Sequence, residues 1–171
     1  MRHLIVSKQP NSKMCFVCGL RNSLGLRASF YELDNGDLVA TFTPETEHQG
    51  YPGRLHGGIA SAVLDETIGR AILLRHPDDI WGVTAGLNLR FRKPVPLGEQ
   101  LRVVGRITKE TPRHFEGRGE LLLADGTKAV EASGKYLKFQ LDSIADFDED
   151  EQEWRVSSSN DDPDALEIPE W

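Results

Sequence analysis

A chain of 171 residues, 39% hydrophobic and 27% charged, is long enough for one domain with a substantial core and has an ordinary globular composition. No apolar run approaches the roughly 20 residues that span a bilayer, and the opening "MRHLIVSKQPNSK" lacks the apolar length and cleavage site of a signal peptide. A cytoplasmic protein with no membrane partner is therefore expected. The net charge of −7 is unevenly spread: Asp142 to Trp171 hold twelve acids against one arginine, a net of −11, which leaves +4 on the preceding 141 residues.

Residues 1–27 form an irregular N-terminal segment carrying Cys15 and Cys18 in "MCFVCGL". That spacing is half of a zinc site, but zinc takes four ligands, and the sequence has no second Cys pair or closely spaced His pair. His48 and His56 could complete a site only through tertiary placement. Buried structural thiols are expected, with no metal, no cofactor and, in a reducing compartment, no disulfide.

"ASFYELDNGDLVATFTP" reads as a hairpin, two β-prone runs around an Asn-Gly turn. After an irregular stretch from Glu45 to Leu55, the pattern from Gly57 to about Leu74 is helical, and so apolar that little of its circumference is polar. "RHPDD" ends it, because the residue before Pro77 is driven out of helical geometry. Strand-like runs follow at 83–93, 100–109, 113–124 and 127–139, the last two joined by Asp125-Gly126. Strands on both sides of one long helix predict an α+β layer structure, an antiparallel sheet covering that helix. One sheet face cannot cover so apolar a helix, which predicts an oligomer. The domain is expected to close at residue 141. From 142 to 171 the chain self-repels and has little to bury, so a disordered, solubilising tail is expected. Trp154 and Trp171 would suit a recognition segment instead. An acidic tail also argues against nucleic acid as a partner.

The candidate chemistry lies in "GRLHGGIASAVLDETIG". His56-Gly57-Gly58 stands at the helix start, where backbone N–H groups lack internal partners and glycines let an oxygen approach closely. Either an oxyanion is held there or the glycines merely permit a tight entry into the helix. Asp65, two turns on, shares a face with Gly58, Ser61, Ala62 and Gly69, where something packs closely. It is either a general base in apolar surroundings or a structural carboxylate satisfied by hydrogen bonds. Glu66 is expected to turn toward a wetter side. Thr84 could bring a hydroxyl beside Asp65. Arg90, Arg92 and Lys93 are either a solvated face or a phosphate-binding patch.

Together these segments resemble the hotdog-fold thioesterase superfamily, in particular the branch with phenylacetyl-CoA and 4-hydroxybenzoyl-CoA thioesterases. "HGGIASAVLDETIG" looks like that branch's signature helix, "VTAGLNLRFRKPVPLGE" like the strand and turn after it, and "CFVCGLRNSLGL" like an N-terminal segment of one subset. The resemblance runs from Cys15 to Phe139. It implies a hotdog fold, a helix wrapped by an antiparallel sheet, assembled as a homodimer or homotetramer with sites at the dimer interface. It implies an acyl-CoA substrate, with Asp65 as general base or nucleophile, the Gly57 N–H as oxyanion donor and Thr84 assisting the water. His56 and Gly58 would border the substrate, and Arg90 or Arg92 would meet the CoA phosphates. Many relatives carry an Asn at the position of Gly50, a role that Gln49 or His48 would have to fill. The rivals are a hydratase or dehydratase on the same fold and a non-catalytic acyl-CoA-binding or interaction module.

Overall fold

The alternating runs become strands in the computed structural model, which describes residues 1–77 and 80–170. They are β1 (Arg2–Lys8), β2 (Ser29–Leu33), β3 (Leu38–Phe42), β4 (Trp81–Phe91), β5 (Leu101–Glu110), β6 (His114–Leu122), β7 (Lys128–Phe139) and β8 (Ala165–Glu167). One helix, α1 (Gly57–Arg70), continues as a 3-10 turn over Ala71–Leu74. The strands pair antiparallel in the order β4-β7-β6-β5-β3-β2-β1-β8. This is the α+β architecture the sequence predicts, with the helix end tightened rather than α-helical to Leu74. Gly36, at φ 83, makes the β2–β3 turn, a backbone state that a residue with a Cβ resists.

The helix is seated by absences in the sheet. A Cβ on Gly117 would lie 2.5 Å from Ile68 Cγ2 and 2.9 Å from the Arg106 carbonyl oxygen, and one on Gly119 would lie 2.9 Å from Ile68 Cγ1. The glycines of β6 thus form a trough into which Ile68 drops. Val63, Leu64, Ile68 and Ile72 meet Phe30, Leu38, Phe115, Leu121 and Val130 there, all fully buried. The opposite side of α1 is only partly covered: Ser61, Ala62, Asp65, Glu66 and Gly69 are half-buried.

Two expectations about the termini are corrected. The first eight residues are not irregular, because Arg2–Lys8 join the sheet between β2 and β8. This strand depends on partners that are far away in sequence, so local pattern could not reveal it. The acidic segment is not disordered up to Glu170. Its charges meet the basic body: Asp162 accepts from Lys8 Nζ at 2.6 Å and from the Tyr31 hydroxyl at 2.7 Å. Burial, then the neighbouring Asp162, pushes the Tyr31 phenol up to about 12. Asn11 bridges to Arg155, Ala165–Glu167 pair with Arg2–Leu4, and Ile168 is buried. Phe147 and Trp154 pack against Trp81 of the body, and Leu166 and Ile168 join a small apolar cluster with Leu33, Val39, Val104 and Leu122. Asp78, Asp79 and Trp171 lie outside the described residues, and with them part of the "RHPDD" stop and one of the two tail tryptophans.

Candidate active site

α1 opens with His56 as its N-cap, in extended geometry (φ −63, ψ 133), and the ring Nδ1 accepts the Gly58 N–H at 2.9 Å. The histidine thereby supplies one of the helix's missing acceptors. The neighbouring Gly57 N–H makes no hydrogen bond among the described residues. Gly57 is exposed, and the Phe91 ring passes 3.5 Å from where its Cβ would stand. A positively polarised donor therefore faces open space at the positive end of the helix dipole.

Two turns along, Asp65 is held by two hydroxyls. Thr84 Oγ1 is 2.9 Å from Asp65 Oδ1 and 3.0 Å from Oδ2, and the Tyr136 hydroxyl is 3.0 Å from Oδ1 and 3.2 Å from the Asp65 carbonyl oxygen. The sheet register explains this convergence. Thr84 of β4 and Tyr136 of β7 are directly opposite each other, so both side chains project from one face toward the helix. A bulge between Thr84 and Gly86 then shifts the alternation, so that Leu87 and Leu89 return to the core side. The Tyr136 ring is stacked on Phe115 at 4.9 Å. Burial, then the nearby Asp65 charge, raises its phenol far above the ordinary range, so it stays a donor. Each hydroxyl has a single proton to give, which leaves Oδ2 less encumbered than Oδ1. Tyr136 was not foreseen. The available signal was a strand tyrosine whose buried hydroxyl would need a partner.

Asp65 opens onto a cavity of about 350 Å³ that it shares with Thr84, Trp81, Phe147, Trp154 and the two cysteines. Phe147 and Trp154 come from the acidic segment, and Trp154 packs 5.1 Å from Trp81. Glu66 does not turn toward water, contrary to expectation. Its Oε1 accepts from Arg70 Nε at 2.9 Å and its Oε2 from the Cys15 thiol at 3.1 Å. Arg70 is clamped between the rings of Phe30 and Trp154, 4.2 and 4.8 Å from their centroids. The neighbouring Cys15 thiol draws Cys18 down to about 7, while Cys18, burial and Glu66 drive Cys15 upward.

The other expected residues are scattered. His48 is buried, with Nδ1 accepting the Glu45 N–H and Nε2 on the Leu24 carbonyl, so both ring nitrogens are committed to the fold. The Gln49 amide oxygen accepts the Gly53 N–H at 2.8 Å and ties its own loop. Gly50 lies against the helix entry, where a Cβ would come within 3.1 Å of His56 Cα. Arg92 Nε donates to Glu131 at 2.8 Å. It lines a second cavity, of about 380 Å³, with Gly57, Phe91, Tyr51, Arg54 and Lys93. Arg90 alternates with Leu89 and Phe91, so it faces away from the helix, in a hollow with Arg118, Glu120 and Glu131. Gly57 and Asp65, eight positions apart on α1, are separated by roughly 12 Å along its axis.

The sequence model of the thioesterase superfamily matches residues 52–130, from the loop before α1 into β7. Acyl-coenzyme A thioesterase THEM4 of Rattus norvegicus is 31% identical over 122 residues, which cover 68% of this chain and 49% of that protein. The chain spans about half to two thirds of the length of the curated relatives it matches. The crystal structure of a thioesterase superfamily protein superposes with a TM-score of 0.65 at 31% identity, covering 70% of this chain and 61% of the other. A hypothetical thioesterase protein from Streptococcus pneumoniae, solved with coenzyme A, is alike in fold, with a TM-score of 0.56 at 19% identity over 61% of this chain and 83% of that one. One helix across an antiparallel sheet, the glycine-led entry to that helix and the match that contains it agree: the chain has the hotdog fold, and its residues 52–130 carry the sequence pattern of the thioesterase superfamily.

Proposed function

We propose that the protein is an acyl-CoA thioesterase that works as a homodimer or larger homo-oligomer. The observation that carries this is the Asp65 carboxylate, fixed by Thr84 and Tyr136 on the lining of a cavity, in a chain whose Gly57 N–H is open at the other end of the helix. A thioester carbon cannot touch both groups of one helix across roughly 12 Å. A second copy, packed with its helix antiparallel, brings its Gly57 to this Asp65 and builds two equivalent sites. The surface for that pairing is β4, an eleven-residue strand at the sheet edge whose exposed Phe91 and unpaired backbone invite another strand.

In the reaction, Asp65 takes a proton from water as the water oxygen attacks the thioester carbonyl. The carbonyl oxygen becomes an oxyanion and is held by the partner copy's Gly57 N–H. As the intermediate collapses, the carbon–sulfur bond breaks and the departing CoA sulfur takes the proton from Asp65. If Asp65 instead attacks directly, the same oxyanion contact serves a mixed anhydride that water then cleaves. Arg54, Lys93 and Arg92, around the cavity beside Gly57, are the residues we assign to the CoA phosphates. Arg90 drops out of that role by its orientation. Hydratase chemistry needs a histidine beside the acid, and His56 instead caps the start of α1, nine positions before Asp65, with its Nδ1 accepting the Gly58 N–H.

The acyl-CoA thioesterase relatives and the CoA-bound neighbour support this reading. Its test is free-thiol release from a panel of acyl-CoAs by wild type and Asp65→Asn. A loss of on the order of a hundredfold or more is expected, and equal rates would sink the assignment. A folded dimer that binds acyl-CoA without releasing thiol would make the protein a binding module.

A further inference from the structure

We propose that Cys15, Cys18 and Glu66 form a binding site for a thiophilic divalent cation, Zn²⁺, with its fourth coordination position open to the Asp65 cavity. The sequence offers only a Cys pair. The fold adds a third ligand from α1: one atom each of Cys15, Cys18 and Glu66 lies within 4.8 Å of the others. A tetrahedral zinc with sulfur and oxygen ligands sets them roughly 3.6–3.8 Å apart, so a small contraction suffices.

The surroundings are those of a prepared site. The turn between the cysteines closes tightly, since the Gly19 N–H donates to the Cys15 carbonyl at 2.8 Å and a Cβ on Gly19 would stand 2.3 Å from that oxygen. The Val17 N–H points at Cys15 Sγ at 3.4 Å, and Ser12 Oγ lies 3.2 Å from Cys18 Sγ, contacts that hold the two sulfurs in position. Glu66 is oriented by Arg70, which holds Oε1 and turns Oε2 to the sulfurs. Such a partner behind a ligating carboxylate is what metal sites use to fix their ligands.

Charge and softness select the ion. Two thiolates and a carboxylate carry three negative charges, which a dication and the Arg70 guanidinium together neutralise. Thiolates disfavour Mg²⁺ and Ca²⁺ and favour zinc. Three protein ligands leave one position vacant, the pattern of open rather than purely structural zinc sites. Asp65 and Trp81 share the cavity onto which that position faces. The proposal stands apart from the thioesterase reading, because a metal can occupy the site whether or not thioesters are cleaved.

The test uses the full chain, reduced, stripped with a chelator and titrated with Co²⁺, followed by Zn²⁺. Thiolate-to-cobalt charge-transfer bands with intense tetrahedral d–d bands are expected at one equivalent and should vanish as zinc displaces cobalt. Cys18→Ser should abolish them. Glu66→Gln, a nearly isosteric change whose folding is checked by circular dichroism, should weaken cobalt affinity at least tenfold. Absence of thiolate bands in the wild type overturns the proposal, as does a Cys15–Cys18 disulfide that survives reduction. Bands unmoved by Glu66→Gln overturn the three-ligand site.

Discussion

The Tyr136 hydroxyl sits 3.0 Å from Asp65 Oδ1, and directly across the strand pair Thr84 reaches both oxygens of the same carboxylate. The two hydroxyls fix Asp65 in a single rotamer. Tyr136→Phe keeps the stacked ring and removes only the donor. A hydrogen bond to a charged group is worth about 1.5–3 kcal/mol, so kcat is expected to fall about tenfold or more while KM moves little. Thr84→Val should act in the same direction and Thr84→Ser should restore most of the rate. Steady-state thiol release on the three variants checks this, and a Thr84→Ser variant as slow as Thr84→Val would mean that Thr84 acts through packing.

Much of this site was legible because it is local. The glycine-led helix and Asp65 lie within seventeen residues, Gly53 to Gly69, and Thr84 follows on the next strand. Hairpin turns and strand alternation likewise announce themselves within a few residues. What was missed is non-local. Tyr136 reaches Asp65 across 71 positions, Cys15 reaches Glu66 across 51, and β1 finds its edge partner at the far end of the chain. The acidic segment misled for another reason: its net charge describes repulsion within itself, whereas Lys8, Arg21 and Arg102 of the body bind it.

Glu110 links stability to acid. Burial alone would raise its carboxyl, but hydrogen bonds from Lys138, Arg75 and His76 outweigh that and hold it at about 2, below the ordinary 4.5. A carboxyl lowered in the folded state contributes stability that is complete above the unfolded value and disappears as pH falls through the folded one. Glu110's contribution should therefore be intact above about pH 4.5 and be lost between there and about pH 2. Urea unfolding of wild type and Glu110→Gln should show the gap between them closing over that window. Parallel curves would assign the acid sensitivity elsewhere.

Trp154 carries the acidic segment's contribution to the cavity. It packs on Trp81 at 5.1 Å and Phe147 at 6.0 Å and covers Arg70. Trp154→Ala should destabilise the protein by about 1–3 kcal/mol. It should also open the cavity that adjoins Asp65, raising the relative kcat/KM for bulkier acyl groups. Thermal unfolding and an acyl-chain profile measure the two effects. An unchanged profile with lowered stability would leave this segment a purely structural strap.

The proposed division of the site between two copies has a test that no single-chain site can pass. Gly57 is the first helical residue, and His56 before it is extended (φ −63, ψ 133). Proline is welcome at that helix position and tolerates an extended predecessor. Gly57→Pro therefore deletes the N–H with little disturbance of the helix, and its Cβ would meet the Phe91 ring at ordinary contact distance. Gly57→Pro and Asp65→Asn should each be nearly inactive alone. In a mixed dimer one site receives both defects and the other receives neither. Dissociating and re-associating equal amounts should then return roughly a quarter of wild-type activity, since half the dimers are mixed and each has one intact site. Activity that stays at the level of the two parents would place Gly57 and Asp65 in unconnected roles.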